Sequence, residues 1–226
     1  MDKVIETKLG PIHARVEGNG PAILLAHGSH PDNSWRVWEH NVEALATAGF
    51  TIYALDLLGY GGSGGERLDH QQQAAALLDL MDAEGFRAAT IGGVSWGGMI
   101  ALEMALAAPE RVERLILVDS AGAGFYSEER LESIACPTLV VWGEDDSVIP
   151  LANAAWFGAA IPHCRVEVIP DVTEQEGVPP WGGHHPMRFK PAEFNDIVTE
   201  FLAQPEKPGK KPKRLLREAG VRKATG

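Results

Sequence analysis

A serine, a histidine and a carboxylate can together hydrolyse an acyl compound, and this chain carries all three where a fold could expose them. The serine is Ser95, inside Gly93-Val94-Ser95-Trp96-Gly97. Glycines two residues to either side suit a sharp strand-to-helix turn. Such a turn holds the serine in a strained backbone conformation with its hydroxyl clear of the chain. The pentapeptide alone is a weak signal. Its setting strengthens it: the apolar run Ala89 to Val94 precedes it, and a helical stretch ending at Ala108 follows at once. A serine hydroxyl needs a base to accept its proton, and the base needs a carboxylate to fix its tautomer. Downstream of Ser95 the bases on offer are His163, His184 and His185. The acids that follow apolar runs are Asp119 and the cluster Glu144-Asp145-Asp146. Asp119 also has a plain use as a turn or helix cap.

Positioning these groups requires a frame, and the apolar pattern supplies one. Val4 to Thr7 and Ile12 to Val16 flank Gly10-Pro11 and read as an opening hairpin. The continuous apolar run Ala22 to Ala26 reads as a strand buried on both faces, Thr51 to Leu55 as a second buried strand, and Ala89 to Val94, Arg114 to Val118 and Thr138 to Trp142 as further strands. Arg165 to Ile169 reads as a further strand. Helical stretches lie between them, at Ser34 to Ala48, 69–84, Met99 to Ala108, 151–159 and Pro191 to Leu202. Repeated strand–helix units imply an α/β fold with a mostly parallel central sheet flanked by helices. Ligands in such sheets bind beyond the carboxyl ends of the strands, and the glycine-rich and polar clusters fall there. His163 precedes a strand, so it lies at the wrong end of the sheet and reads as a surface residue.

The stretch GVSWGGMIALEMALAAPERVERLILVDS, Gly93 to Ser120, resembles the nucleophile-elbow region of the α/β-hydrolase superfamily. The likeness extends to LLAHGSH, LDLLGYGGSG, PTLVVWGEDDSVIP and GGHHPMRFKPAEFN, in the family's order over most of residues 22–203. The resemblance implies a Ser, acid, His chain order with Ser95 as nucleophile. The family's acid follows a glycine by three residues, which selects Asp146 over Asp145. A minority of relatives keep the acid at the position of Asp119. The family's G-H-x-P pattern before the last helix selects His184 over His185. An oxyanion hole is implied at the backbone N–H groups of Trp96 and Ser29, with His27 bracing the loop. No metal or organic cofactor is implied.

The sequence departs from the family in two places. Only about fifteen residues, Ser120 to Ile134, stand where relatives insert a helical cap, enough for one short helix near Glu128 to Ser133. The cap domain is therefore nearly absent, and the resemblance is closest to small capless hydrolases with an open site. Conversely, the loop Asp171 to Gly182 is long for the family. It is expected to fold over the site, with Trp181 as a substrate contact.

Bulk properties bound what else the chain could be. Its 226 residues, 45% apolar, suit one folded domain. No run approaches a membrane span, and the start lacks the pattern of a secretory signal, so a cytoplasmic location is the expectation. Cys136 and Cys164 suit neither a disulfide framework nor a metal site and read as small core residues. The net charge is −11. Residues 205–226 hold eight Lys/Arg against two Glu, a net of +6, which leaves −17 on residues 1–204. An acidic body disfavours nucleic acid and anionic membranes. The expected organisation is a hydrolase domain over 1–204 and a basic, disordered tail over 205–226. The expected function is hydrolysis of a small-molecule carboxylic ester. Thioester or carbon–carbon bond cleavage is the alternative within the class, and a non-catalytic binding or receptor role the alternative outside it. Substrate identity and oligomeric state stay open.

Overall fold

The computed structural model describes residues 1–204; the basic tail expected over 205–226 lies outside the described residues. Eight strands form one sheet: β1 (Asp2–Thr7), β2 (Gly10–Glu17), β3 (Ala22–Ala26), β4 (Thr51–Leu55), β5 (Ala89–Val94), β6 (Val112–Val118), β7 (Thr138–Gly143) and β8 (Cys164–Ile169). Their spatial order is β1-β2-β4-β3-β5-β6-β7-β8. The hairpin β1–β2 and its junction with β4 are antiparallel, and every later pairing is parallel. The helices are α1 (Glu39–Thr47), α2 (His70–Ala83), α3 (Trp96–Ala107), α4 (Glu128–Glu132), α5 (Ala152–Ala160), α6 (Pro186–Phe189) and α7 (Pro191–Ala203).

The period of two along a strand splits the core into two layers. In β3, Leu24 and Ala26 face one cluster with Leu77 and Leu80 of α2 and Ile100 and Leu102 of α3. Ile23 and Leu25 face the other, with Val42 and Leu45 of α1 and Phe194 and Val198 of α7. Each fully buried aliphatic side chain contributes about 1.5–3 kcal/mol relative to exposure. Burial on both faces is why these strands read as unbroken apolar runs. The expected α/β-hydrolase architecture is the one found. No described helix is long and apolar enough to cross a membrane.

Two local details differ from expectation. The helix expected from Ser34 opens as a tight 3-10 turn over Trp35–Trp38 before α1 begins. Its first N–H, on Trp35, has no acceptor within the turn and donates to Oδ1 of buried Asp56 at 2.6 Å. The segment around His184, read as loop, contains a 3-10 turn over Gly182–His184 and the short helix α6. The cap is indeed nearly absent. Between β6 and β7 the chain holds only α4, pinned by Leu131 and Ile134, which are buried, and by Tyr126, whose hydroxyl donates to Glu103 of α3 at 2.9 Å.

Candidate active site

Ser95 stands between the last residue of β5 and the first of α3, with φ 56° and ψ −120°. A positive φ with this ψ is the conformation of the first central residue of a type II′ turn, which favours glycine. Three close approaches hold it there. A side chain on Gly93 would strike the backbone of Gly97 and Gly98. One on Gly97 would come within 2.6 Å of the His27 carbonyl. One on Gly28 would come within 3.4 Å of Ser95 Cβ and 3.8 Å of its Oγ. The loop after β3 therefore abuts the serine side chain.

His27 sets the shape of that loop. Its ring is fully buried, and burial pushes its pKa down to about 4, so it is neutral at physiological pH. Nε2 takes the N–H of Leu57 at 3.1 Å and must be the unprotonated nitrogen. Nδ1–H therefore donates to the carbonyl of Gly28 at 2.7 Å. His27 is a brace, in agreement with the reading from sequence. Tyr60 packs edge-on against it at 4.9 Å and donates to the carbonyl of Ser29 at 3.2 Å.

The strand ends form a continuous row. The N–H of Ser95 donates to Val118 at the end of β6, and Ala121 donates back to the Ser95 carbonyl, both at 2.9 Å. The N–H of Asp119 reaches Val141 of β7 at 3.0 Å. Gly143, at the end of β7, meets the backbone of Gly183 so closely that a side chain there would collide with the Gly183 carbonyl. The segments bearing Ser95, Asp119, Asp146 and His184 thus touch in sequence along one rim of the sheet.

Among the candidate acids and bases, Asp146 and His184 pair: Nδ1 of His184 lies 2.8 Å from Oδ2 of Asp146. The side chain of Asp146 has no solvent exposure and that of His184 only 6%. The other oxygen of Asp146 accepts the N–H groups of Val148 at 2.7 Å and Ile149 at 3.0 Å. A carboxylate so supplied with donors is the accepting partner, so Nδ1 carries the proton and Nε2 the lone pair. Asp145 does different work. It takes the N–H of Thr173 at 2.6 Å and the Thr173 hydroxyl as well. Burial alone would lift its pKa, but the hydrogen bonds from Thr173 outweigh burial and hold it below the ordinary carboxylate value.

His185 packs edge-on against His184 at 5.1 Å and against Trp181 at 5.6 Å. Burial first, and the neighbouring His184 next, push its pKa down to about 4. Trp181 is 45% exposed and also packs on Phe189 at 5.7 Å. Its loop is tied down by Asp145, by the Ser147 hydroxyl on the Pro180 carbonyl at 3.1 Å, and by Gln175 on the Phe189 carbonyl at 3.0 Å. His163 sits half-buried before β8, at the opposite end of the sheet. The two cysteines are free and half-buried, and burial pushes their thiols up to about 11 for Cys136 and about 12 for Cys164.

Ligand-type atoms of Asp119, Asp146 and His184 lie within 4.8 Å of one another. The 2.8 Å contact between Nδ1 and Oδ2 is that of a hydrogen bond; donors sharing one small cation at about 2.0–2.2 Å each stand farther apart.

The polar supports of this rim were not evident from sequence. Asn41 of α1 donates to the Met187 carbonyl and to Asn195 of α7, each at 2.9 Å, and so locks the residues after His184 to the sheet's flank. Polar residues on apolar helix faces were the available signal.

Comparison with known proteins places this arrangement. Residues 21–130 match the family model of the alpha/beta hydrolase fold. An uncharacterised protein of Mycobacterium tuberculosis is 43% identical over 275 residues, covering 83% of this chain and 77% of the relative. A 2-hydroxy-6-oxo-6-phenylhexa-2,4-dienoate hydrolase of Burkholderia cepacia is 33% identical over 270 residues, covering 85% of this chain and 91% of the relative. Both matches run over more positions than the 226 residues of this chain, so these relatives hold residues that it lacks. A CIB-like hydrolase of Thermoplasma acidophilum superposes with TM-score 0.77 at 25% identity, covering 89% of this chain and 97% of that one. A carboxylesterase of Bacillus subtilis superposes with TM-score 0.78 at 19% identity, covering 90% and 91%. A mostly parallel sheet flanked on both faces, a strained serine at the turn into α3, and hydrolase relatives matched over most of their length lead to one conclusion: the chain belongs to the α/β-hydrolase fold family.

Proposed function

We propose that this protein is a serine hydrolase that cleaves small-molecule carboxylic esters through an acyl-enzyme on Ser95, with His184 as general base and Asp146 as its orienting acid. The observation that carries the reading is the backbone of Ser95. A non-glycine residue at φ 56° between a buried strand and a helix is costly to keep, and the surrounding glycines over-determine it. Strain of this kind makes sense where the side chain must be presented for reaction.

In this mechanism Ser95 Oγ attacks the ester carbonyl while its proton passes to Nε2 of His184. The imidazolium formed faces the carboxylate of Asp146. The oxyanion is received by the N–H of Trp96, the first residue of α3, where opening N–H groups lack intrahelical acceptors. Ser29 supplies the second donor. The Gly28 carbonyl is held by His27, and across a trans peptide the Ser29 N–H points the opposite way, off the His27 ring. Collapse expels the alcohol, which takes the proton from His184. A water then attacks the acyl-enzyme by the same relay and releases the acid. Trp181, half-exposed beside His185, is the substrate contact. The near absence of a cap leaves the site open, which suits esters that reach it from bulk water.

Carbon–carbon bond hydrolysis is the second reading, favoured by the 33% identity to a protein named as a dienoate hydrolase. An activity panel separates the two. Aryl esters of graded acyl length and a 2-hydroxy-6-oxo-dienoate are offered to wild type and to Ser95→Ala. Ester turnover that falls by at least about 10³-fold in Ser95→Ala supports the proposal. Turnover of the dienoate alone moves the assignment to the second reading. Ester turnover unaffected by Ser95→Ala overturns the nucleophile.

A further inference from the structure

Asp119, next to the end of β6, has no solvent exposure and a φ of 42°. Its Oδ1 accepts the N–H of Gly143 at 2.9 Å. Among the described residues no donor reaches its Oδ2, which is buried. One of its carboxylate oxygens lies within 4.8 Å of a carboxylate oxygen of Asp146 and of a ring nitrogen of His184. Two carboxyl groups buried side by side do not both ionise, because neither water nor a cation offsets the second charge. The donors decide which one keeps a proton. Among the described residues, Asp146 is supplied by Val148, Ile149 and His184, whereas Asp119 is supplied by Gly143 alone. Burial raises the Asp119 carboxyl well above its ordinary value, and the charge of Asp146 raises it further. The charged and titratable groups facing Asp119 are Asp145 and Asp146, from the segment after β7, and His184, from the turn before α6.

We infer that Asp119 is a positioning residue, a neutral carboxylic acid whose Oδ2–H donates to the Asp146 carboxylate and keeps that carboxylate turned toward Nδ1 of His184. The inference deepens the proposed function and rests on its proton relay. The orphaned Oδ2 then has a partner, and the acid pair carries one negative charge. The Ser95 proton moves to His184 and back to the leaving alcohol, while Asp119 keeps its own proton throughout. The position therefore serves the relay from behind Asp146 without contacting substrate.

The test compares wild type with Asp119→Asn and Asp119→Ala. The asparagine amide can donate to Asp146 while its carbonyl still accepts from Gly143, so it imitates the neutral acid. Asp119→Ala is expected to lose about 10- to 100-fold in kcat with little change in KM, because Asp146 loses its donor. Asp119→Asn is expected to recover most of that loss, with the acid limb of its pH profile staying at the wild-type position. Asparagine as impaired as alanine would overturn the inference. So would an acid limb shifted to lower pH by about one unit in Asp119→Asn, which would report a negative charge removed from beside His184. Carboxyl carbon NMR of aspartate-labelled wild type reads the proton without any catalysis. One aspartate is expected in the protonated range at neutral pH, and that signal should vanish in Asp119→Asn. Ionised shifts for every aspartate would overturn the inference even if both variants misfold. If the wild type shows no serine-dependent hydrolysis, the relay reading fails, and the NMR still decides where the proton sits.

Discussion

The imidazole of His184 and the carboxylate of Asp146, 38 residues apart in the chain, meet at 2.8 Å under almost complete burial. The pairing fixes the histidine tautomer with its lone pair on Nε2. Asp146→Asn would present a donor or an acceptor to Nδ1 but no charge, and would favour the wrong tautomer. A fall in kcat of about 10³–10⁴-fold with little change in KM is expected in steady-state ester hydrolysis. A loss below about tenfold would mean that another acid orients the base.

Ser95 should hold more strain than activity-neutral positions do. Ser95→Gly relieves the positive φ, whereas Ser95→Ala keeps it. Both variants lose the nucleophile, so their difference isolates the backbone. The glycine variant is expected to be more stable than the alanine variant by about 1–2 kcal/mol in denaturant unfolding. Equal stabilities would show that the turn is not strained.

His27 links stability to pH. Its folded pKa of about 4 lies below the ordinary 6.5, so between those values the unfolded chain binds the extra proton. Its contribution is fully present above pH 6.5 and is lost as pH falls toward 4. Replacing it by glutamine removes this dependence. Asp119, whose raised pKa acts in the opposite direction, is common to both proteins and cancels. The difference in unfolding free energy between wild type and His27→Gln should therefore shrink on acidification, by up to about 3 kcal/mol. A difference constant with pH would contradict a buried neutral imidazole.

The frame of the molecule was legible because strands such as Ala22–Ala26 are buried on both faces and leave unbroken apolar runs, while Gly93 and Gly97 mark the one turn that needs them. Asp146 and His184 were singled out only through likeness to a family pattern; the residues alone left Asp145, Asp119 and His185 open. In the structure Asp145 contacts Thr173 and Asp146 contacts His184. Such contacts join segments tens of residues apart, and spacing along the chain carries no record of them. The clasp of Asn41 on Met187 and Asn195 was hidden for the same reason.

The Asp145–Thr173 contact should govern the loop that carries Trp181. Asp145→Ala removes two hydrogen bonds at the loop's start and leaves Asp146 on His184. Amide hydrogen exchange over residues 171–182 is expected to speed up by about tenfold or more, with exchange in β7 little changed. Unaltered exchange would show that Ser147 and Gln175 suffice to hold the loop.

The most direct measurement is the covalent fate of Ser95. A fluorophosphonate is incubated with the protein and the adduct located by mass spectrometry of peptides. One phosphonyl group on the peptide containing Ser95 is expected, with none in Ser95→Ala and slowed labelling in His184→Ala. Labelling that persists in Ser95→Ala, or a folded wild type that takes no label, would contradict a nucleophilic serine at this turn.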